Sequence, residues 1–170
     1  MSSPFIHDDF MLQSPAAKEL YHNFAKDEPI LDFHNHLPPD EIAVNRKFGT
    51  LFDIWLAGDH YKWRAMRANG IDENLITGAA SPREKFNAWA ETVPHTLRNA
   101  LYHWTHLELS RYFEFDDLFS PATADEVWEM GNAKLADPDY SCRGLLEMSQ
   151  VRVLCTTDDP THSLEHHQAI

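Results

Sequence analysis

The spacing of apolar positions predicts that this chain is mainly helical. Over most of its length, apolar side chains recur every three or four positions, which places them on one face of an α-helix. After Ser81, for example, Phe86, Trp89 and Val93 fall on a single face. A second apolar face runs through residues 98–109. Helices packed through such faces are therefore expected to form most of the fold.

Helix start signals define the other helical segments. Ser14 is followed by proline, a combination that opens helices, and predicts a helix to about Lys26. Residues 81–84 and 123–126 are capping boxes, and the second predicts a helix through about Leu135. Shorter helices are predicted at 40–45, 50–57 and 60–69.

Two segments have the pattern of buried strands, residues 29–35 and 150–156. They are separated by helical segments, and a further helical pattern begins at Thr161, which predicts an α/β fold. A (β/α)8 barrel requires eight strands and about 250 residues. The pattern therefore predicts the opening part of a barrel that continues beyond this chain.

Composition and charge exclude several classes of function. The 170 residues are 43% hydrophobic and 24% charged, which is typical of a globular protein. The formal charge of −13 argues against nucleic-acid binding. No apolar run is long enough to span a membrane, and the start Met1–Pro4 lacks the features of a signal peptide. We expect a cytoplasmic protein with reduced thiols at Cys142 and Cys155, the latter buried in its apolar strand.

The strongest chemical signal is a pair of histidines, His34 and His36, at the end of the first predicted strand. Side chains two residues apart in a strand point the same way, so Asp32 and both imidazoles share a face. Their spacing suits one divalent metal ion, which would need a third protein ligand and an open position. The alternative is two solvent-exposed histidines. We call His34 and His36 the histidine pair.

A second candidate is the polar and aromatic segment 58–67. His60 and Tyr61, beside basic residues that include Arg64, could serve acid–base chemistry and bind an anion. The alternative is an amphipathic helix in which Tyr61 and Trp63 pack while the cations stay solvated. On composition alone, the alternative is favoured.

Polar residues also follow the second predicted strand. Asp158 could contact a substrate or metal at the carboxyl end of a barrel strand. The alternative is a helix that begins at Pro160 and is capped by Asp159; the two interpretations are compatible.

Farther on, His162 and His166 match an inverted zinc-protease motif, which we discount because the histidine pair is the better metal site. His103 and His106, on an aromatic-rich helix, are expected to pack.

Specific motifs run along nearly the whole chain. They are FMLQS at 10–14, the segment 29–39, IWLAGDHYKWRAMR at 54–67, KFNAWA at 85–90, LYHWTHLEL at 101–109 and LCTTDDP at 154–160. HYKWRAMR and CTTDDP are far more specific than the histidine pair. Together these motifs resemble the uronate isomerase (glucuronate isomerase) family of the amidohydrolase superfamily.

The resemblance implies a metal-dependent (β/α)8 TIM barrel with a large helical insertion between its first two strands. Residues 1–39 would hold the N-terminal helix and strand 1, residues 40–148 the insertion, and residues 149–170 strand 2 and the start of the next helix. The family interconverts aldose and ketose hexuronates in bacterial uronate catabolism. The substrate pairs are D-glucuronate with D-fructuronate and D-galacturonate with D-tagaturonate.

The resemblance also assigns roles to the candidate residues. The histidine pair would bind a divalent metal, expected to be Zn²⁺. His60 and Tyr61 would be catalytic, with Tyr61 a candidate for proton movement between C1 and C2. Arg64 and Asp158 would bind substrate. The expected partners are a hexuronate and, as one candidate assembly, a homo-oligomer. Nucleic acid and membranes are not expected partners.

Two other functions remain open at this point. The chain could belong to a metal-dependent amidohydrolase of the same superfamily, since a strand-1 histidine pair serves both reactions. It could also be a helical binding module without catalytic activity. Because two histidines leave a metal site incomplete, this chain alone is expected to be inactive and to bind metal weakly.

Overall fold

The structure, a computed structural model, describes residues 4–170. Residues 1–3, on which part of the predicted 1–39 segment and of the signal-peptide prediction falls, lie outside the described residues. The described part divides into two compact units. The helical unit comprises residues up to Phe10 together with Gly49–Leu135, and the sheet unit comprises Met11–Phe48 with Ala136–Ile170.

Helices account for most of the described elements. The α-helices are α1 (Pro15–Leu20), α2 (Pro39–Ala43), α3 (Leu51–Trp55), α4 (His60–Ala68), α5 (Pro82–Thr92), α6 (Ala100–Phe113), α7 (Ala124–Leu135), α8 (Cys142–Met148) and α9 (Glu165–Ala169). The strands are β1 (Ile30–Asn35) and β2 (Val151–Thr156). A π-helical turn covers Tyr21–Ala25, and 3-10 turns cover Glu73–Leu75, Val93–Thr96 and Pro138–Tyr140.

The predicted helices are confirmed, with small changes at their ends. At the start of α5, the Ser81 hydroxyl accepts a hydrogen bond from the Glu84 backbone N–H, and the Glu84 carboxylate accepts one from the Ser81 N–H, as the capping box predicts. The helix predicted to Lys26 is α-helical only in α1 and continues as a π-helical turn, closed by a 2.8 Å bond from the Lys26 N–H to the Tyr21 carbonyl. Helix α8, capped by Ser141, was not predicted.

Aromatic side chains form the core of the helical unit. The rings of Trp55 and Phe86 stack with centroids 6.3 Å apart, and the rings of Phe86 and Phe119 lie 5.4 Å apart. All three side chains are buried, as is Trp89 beside them on α5. Each large ring removes about 150–250 Å² from water, so these contacts dominate the packing of α3 against α5.

The sheet unit is built on β1 and β2, which pair in parallel. Ile30 lies opposite Val151, and Asn35 lies opposite Thr156. The prediction of an α/β fragment with few strands is confirmed. Because the strands are parallel, the loops that follow β1 and β2 leave from the same edge of the sheet, where the histidine pair and Asp158 lie.

The prediction that Cys155 is buried is wrong, because its side chain is exposed. Val153 lies two residues earlier, on the same face of β2, and is 51% exposed. On β1, Phe33 is 88% exposed. An apolar strand sequence predicts burial, but burial needs a second layer, and over residues 4–170 these side chains remain open to solvent.

Within residues 4–170, no helix combines the length and the hydrophobicity needed to cross a membrane.

Candidate functional site

The histidine pair lies where β1 ends. The two imidazole rings meet edge to face with centroids 5.1 Å apart, and both are exposed. The prediction that they share one side of the strand is therefore confirmed. Half-buried Asp32 accepts a 3.4 Å hydrogen bond from the backbone N–H of His34 through Oδ1, so its carboxylate supports the strand just before the pair.

Thr157, which follows β2, lies beside His34. Its hydroxyl donates to the carbonyl oxygen of Asn35 at 2.8 Å, and its Oγ1 lies 3.4 Å from Nδ1 of His34. The hydroxyl has one proton, which is already used, so Thr157 can only accept from the His34 ring. The contact is therefore compatible with an Nδ1–H tautomer, the usual one for a histidine that binds a metal through Nε2.

The histidine pair fits two of the ligands of a divalent metal site. Imidazole nitrogens bind zinc at about 2.0–2.1 Å, and two adjacent rings can share one ion. In residues 4–170, no three or more His, Cys, Asp and Glu side chains come together as a metal site. Metal binding by the histidine pair therefore stays a prediction, in which the described residues would supply only part of a coordination shell.

Asp158 follows β2 and is held by two neighbours. Its Oδ2 accepts a 2.5 Å hydrogen bond from the Thr156 hydroxyl and lies 3.3 Å from Nε2 of His167. The Thr156 hydroxyl is also 2.9 Å from Nε2 of His167. His167 could not be predicted as a neighbour of Asp158, because it lies on α9 and only the return of the chain brings it to the strand end.

The predicted helix cap at Asp159 is wrong. Its carboxylate closes a turn by accepting hydrogen bonds from the Thr161 backbone N–H and hydroxyl, at 2.8 and 2.6 Å. These bonds lower the pKa of Asp159. Helix α9 begins only at Glu165, so His162 lies outside it. The inverted zinc-protease motif needs both of its histidines on one helix, and discounting it was correct.

His60 and Tyr61 form the first turn of α4. Their rings lie 4.4 Å apart, and the Arg64 guanidinium stands 4.6 Å from the centroid of the Tyr61 ring. Tyr61 is 56% exposed, and His60 and Arg64 are also exposed. The structure thus groups an imidazole, a phenol and a guanidinium on one exposed surface, which we call the α4 cluster.

The helix start beneath the α4 cluster is anchored by Asp59. Its Oδ1 caps α4 by accepting from the backbone N–H groups of Tyr61 and Lys62, at 2.9 and 3.1 Å. Its Oδ2 lies 3.2 Å from Nζ of Lys62, which is only 6% exposed and stands over the Trp55 ring. The alternative of an amphipathic helix is therefore confirmed in part. Half-buried Trp63 packs and donates to the Leu56 carbonyl, and Arg64 is solvated, but Tyr61 is exposed and Lys62 is buried.

A buried carboxyl lies near this anchor. Burial raises the pKa of Glu108, and the positive charge of Lys62 partly opposes that rise. Its Oε2 has no hydrogen-bond partner among the described residues. A buried carboxyl without a full set of partners favours its protonated form, which removes the cost of a desolvated charge.

The prediction that His103 and His106 pack is confirmed. His106 is 3% exposed, and its ring lies 4.4 Å from that of Tyr102. His103 is half-buried, and its ring lies 5.4 Å from the ring of Phe10. Their spacing along a helix with aromatic neighbours was sufficient to distinguish packing from metal binding.

The predicted site residues thus form two groups. The histidine pair and Asp158 belong to the sheet unit, at the ends of β1 and β2. The α4 cluster belongs to the helical unit.

Comparisons with known proteins point to one family. The sequence model of the glucuronate isomerase family matches residues 2–170. A uronate isomerase of Solibacter usitatus is 60% identical over 166 residues, which are 98% of this chain and 36% of the relative. One of Yersinia enterocolitica is 58% identical over 167 residues, again 98% of this chain and 36% of the relative.

Two solved structures match the fold. Uronate isomerase from Thermotoga maritima superposes with a TM-score of 0.92 at 40% identity, over 98% of this chain and 36% of that one. Glucuronate isomerase from Caulobacter crescentus gives a TM-score of 0.87 at 27% identity, over 98% of this chain and 37% of that one. The chain therefore spans little more than a third of the length of the relatives it matches, and corresponds to their N-terminal part.

Proposed function

Because the chain belongs to the glucuronate isomerase family, we propose that it forms the first part of an enzyme that isomerises hexuronates. The reactions are D-glucuronate to D-fructuronate and D-galacturonate to D-tagaturonate. The observation that carries the proposal is the histidine pair, with its rings 5.1 Å apart at the carboxyl end of a parallel strand. Identity of about 60% to uronate isomerases supports the substrate class.

We propose further that β1 and β2 are the first two strands of a (β/α)8 barrel. Their parallel pairing, with a helical stretch between them, supports this architecture. Residues 1–39 then carry the N-terminal helix and strand 1, residues 40–148 form the insertion, and residues 149–170 form strand 2 and the start of the next helix.

The metal in this proposal is Zn²⁺, bound by the histidine pair. When bound, a divalent cation polarises the sugar carbonyl and so makes the neighbouring C–H more acidic. The contact between Thr157 and His34 is compatible with an imidazole whose Nε2 is free, which supports metal binding at this position. A carboxylate from outside the described residues would complete the shell.

The chain's own residues move the proton and hold the sugar. Aldose–ketose isomerisation transfers a proton between C1 and C2 through an enediol. We assign this transfer to Tyr61, with the neighbouring His60 ring, 4.4 Å away, as its partner. The guanidinium of Arg64 packs against the Tyr61 ring, and in this proposal its N–H groups donate to the substrate carboxylate. Asp158 accepts a hydrogen bond from a sugar hydroxyl.

A chimera tests the proposal. Residues 1–170 would replace the matching N-terminal part of the Solibacter usitatus uronate isomerase, and ketose formation from D-glucuronate and D-galacturonate would be measured. The chimera should be active, whereas His34→Ala should reduce kcat/KM by at least about 100-fold because a metal ligand is lost. Tyr61→Phe should lower kcat by about 100-fold, which is typical for loss of a group that moves a proton.

Two controls make the result decisive. His95→Ala changes an exposed histidine in the helical unit and should leave the chimera at wild-type activity. The 170-residue chain by itself should form no ketose. A folded chimera that converts neither uronate would overturn the proposal, and turnover of amide or ester substrates would then favour a hydrolase.

We also infer a cytoplasmic location, which the two free cysteines support. Self-association stays a prediction, to be measured by light scattering on the chimera.

A further inference from the structure

We propose that His167 is a positioning residue that holds the Asp158 carboxylate in place for a substrate hydroxyl. The inference rests on the proposed function, in which Asp158 binds the sugar. It starts from three atoms that lie together at the carboxyl end of β2: Oγ1 of Thr156, Oδ2 of Asp158 and Nε2 of His167.

The hydrogen bonds among these atoms can run in only one direction. A carboxylate only accepts, so the Thr156 hydroxyl donates its single proton to Asp158 Oδ2 at 2.5 Å. Thr156 Oγ1 must then accept from His167, whose Nε2 is 2.9 Å away. Nε2 of His167 therefore carries a proton that it donates to Thr156 Oγ1, and Nε2 also lies 3.3 Å from Asp158 Oδ2.

This arrangement restrains one oxygen of Asp158 and leaves the other available. Among residues 4–170, the side-chain contacts of Asp158 go to Oδ2. Oδ1 keeps its lone pairs for a ligand, and the side chain is 24% exposed, so a ligand can reach it. A carboxylate with one restrained oxygen is suited to accept a hydrogen bond from a sugar hydroxyl.

The location of His167 comes from tertiary packing. Helix α9 packs against α2, which places the end of α9 beside the end of β2. His166, the preceding residue, instead faces Glu165, with Nε2 and Oε1 3.7 Å apart. The two adjacent histidines therefore differ in one respect that matters here: only His167 contacts Asp158 and Thr156.

A positioning role predicts a specific kinetic change. Asp158 would bind a hydroxyl that takes no part in the proton transfer, so it would stabilise bound substrate and transition state alike. Loss of such uniform binding raises KM and leaves kcat nearly unchanged. We expect His167→Ala to raise the KM for D-glucuronate in the chimera about tenfold, because the hydrogen bond to Thr156 and the close contact with the Asp158 carboxylate are lost together.

Three variants separate positioning from a structural role. His167→Gln keeps an N–H donor at nearly the position of Nε2 and should restore KM to within about threefold of wild type. Thr156→Val removes the hydroxyl at constant shape and should raise KM, with less than additive effect when combined with His167→Ala. His166→Ala is the matched control on the same helix and should leave kcat and KM unchanged.

A direct measurement on the 170-residue chain complements the kinetics. Long-range ¹H–¹⁵N correlation NMR should show a protonated Nε2 on His167, and Thr156→Val should shift that signal. A His167 ring protonated only at Nδ1 would overturn the inference. So would a KM that is unchanged in His167→Ala, or equal effects of His166→Ala and His167→Ala. An inactive wild-type chimera would instead overturn the proposed function, a result distinguishable from these.

Discussion

Nε2 of His106 accepts a 3.0 Å hydrogen bond from the backbone N–H of Phe119. On the other side of the ring, Nδ1 lies 2.7 Å from the carbonyl oxygen of Tyr102 and donates to it. Both nitrogens are therefore satisfied only in the neutral Nδ1–H tautomer. Protonation of Nε2 would direct one N–H at another inside the core.

Protonation of His106 should therefore destabilise the helical unit. Burial lowers the pKa of His106 below its usual 6.5. The nearby His103 also lowers this pKa, whereas the hydrogen bond to the Tyr102 carbonyl raises it. The unfolded chain binds a proton more readily, so this contribution to stability is complete above about pH 6.5 and is lost as the pH falls through the lower, folded-state pKa.

Urea unfolding at pH 7.5 and pH 5 checks this prediction. All five tryptophans lie within Gly49–Leu135, so their fluorescence reports on the helical unit. His106→Gln removes the titration and should reduce the difference in the free energy of unfolding between the two pH values. Exposed His95→Gln is the control and should keep that difference. Equal pH dependence in wild type and His106→Gln would contradict the prediction.

Asp59→Asn should destabilise the helical unit, although asparagine is also a good helix cap. The change keeps an acceptor for the backbone N–H groups and removes the negative charge 3.2 Å from the buried Lys62 ammonium. An unpaired buried charge is costly, and we expect a loss of about 2 kcal/mol in the free energy of unfolding. The matched control is Asp72→Asn, which caps the 3-10 turn Glu73–Leu75. It should cost less than about 0.5 kcal/mol.

Gly131→Ala should also destabilise the protein. A Cβ at this position on α7 would lie 2.5 Å from Cδ1 of Leu51, which is fully buried and has little room to move. Overpacking typically costs about 1–3 kcal/mol, more than the gain of up to about 1 kcal/mol in helix propensity. Gly58→Ala meets no atom within 4 Å and should be neutral or slightly stabilising. A Gly131→Ala protein that melts above wild type would refute the packing argument.

Zinc should bind the 170-residue chain through the histidine pair, and weakly. Two imidazoles leave half of a tetrahedral shell to water, so the binding free energy should fall short of the roughly 10–16 kcal/mol of complete structural sites. Calorimetric titration should show binding that is lost in His34→Ala and in His36→Ala. The control His162→Ala/His166→Ala should bind as wild type does. If both the His34→Ala and the His36→Ala variant still bound zinc tightly, the zinc site would lie elsewhere in the chain and the prediction would be refuted.

The two cysteines should react at different rates with a thiol reagent in the native chain. Cys155 is exposed and should react fast. Cys142 is buried, and burial, reinforced by Glu41, raises the pKa of its thiol, so it should react slowly. Cys155→Ser should remove the fast phase alone. In the chimera, slower modification of Cys155 would show that added barrel strands cover this face of β2.

Much of the fold could be predicted from local chemistry. The capping box at Ser81–Glu84 and the apolar runs of β1 and β2 encode their elements within a few residues, and each is present in the structure. The side-by-side histidine pair follows from the alternation of a strand, a geometric property of any extended backbone. Helix α8 was not predicted, although the shorter helices α2 and α3 were.

The errors concern burial, which depends on what the folded chain places around a side chain. Lys62 is buried because Asp59 and the Trp55 ring receive its ammonium, and Cys155 is exposed because no second layer covers it over residues 4–170. The sequence pattern predicted the opposite in both cases. His167 reaches Asp158 only after the chain turns back through α9.

The sequence by itself therefore determined the class of elements, the position of the histidine pair and, through its motifs, the family. Tertiary structure alone decided which side chains from other parts of the chain support the candidate residues: Thr157 at His34 and His167 at Asp158. The physical reason is the distance along the chain over which each kind of interaction acts. Caps, strand alternation and helical faces act over a few residues, whereas burial and hydrogen-bond partners depend on segments that folding brings together from far along the chain.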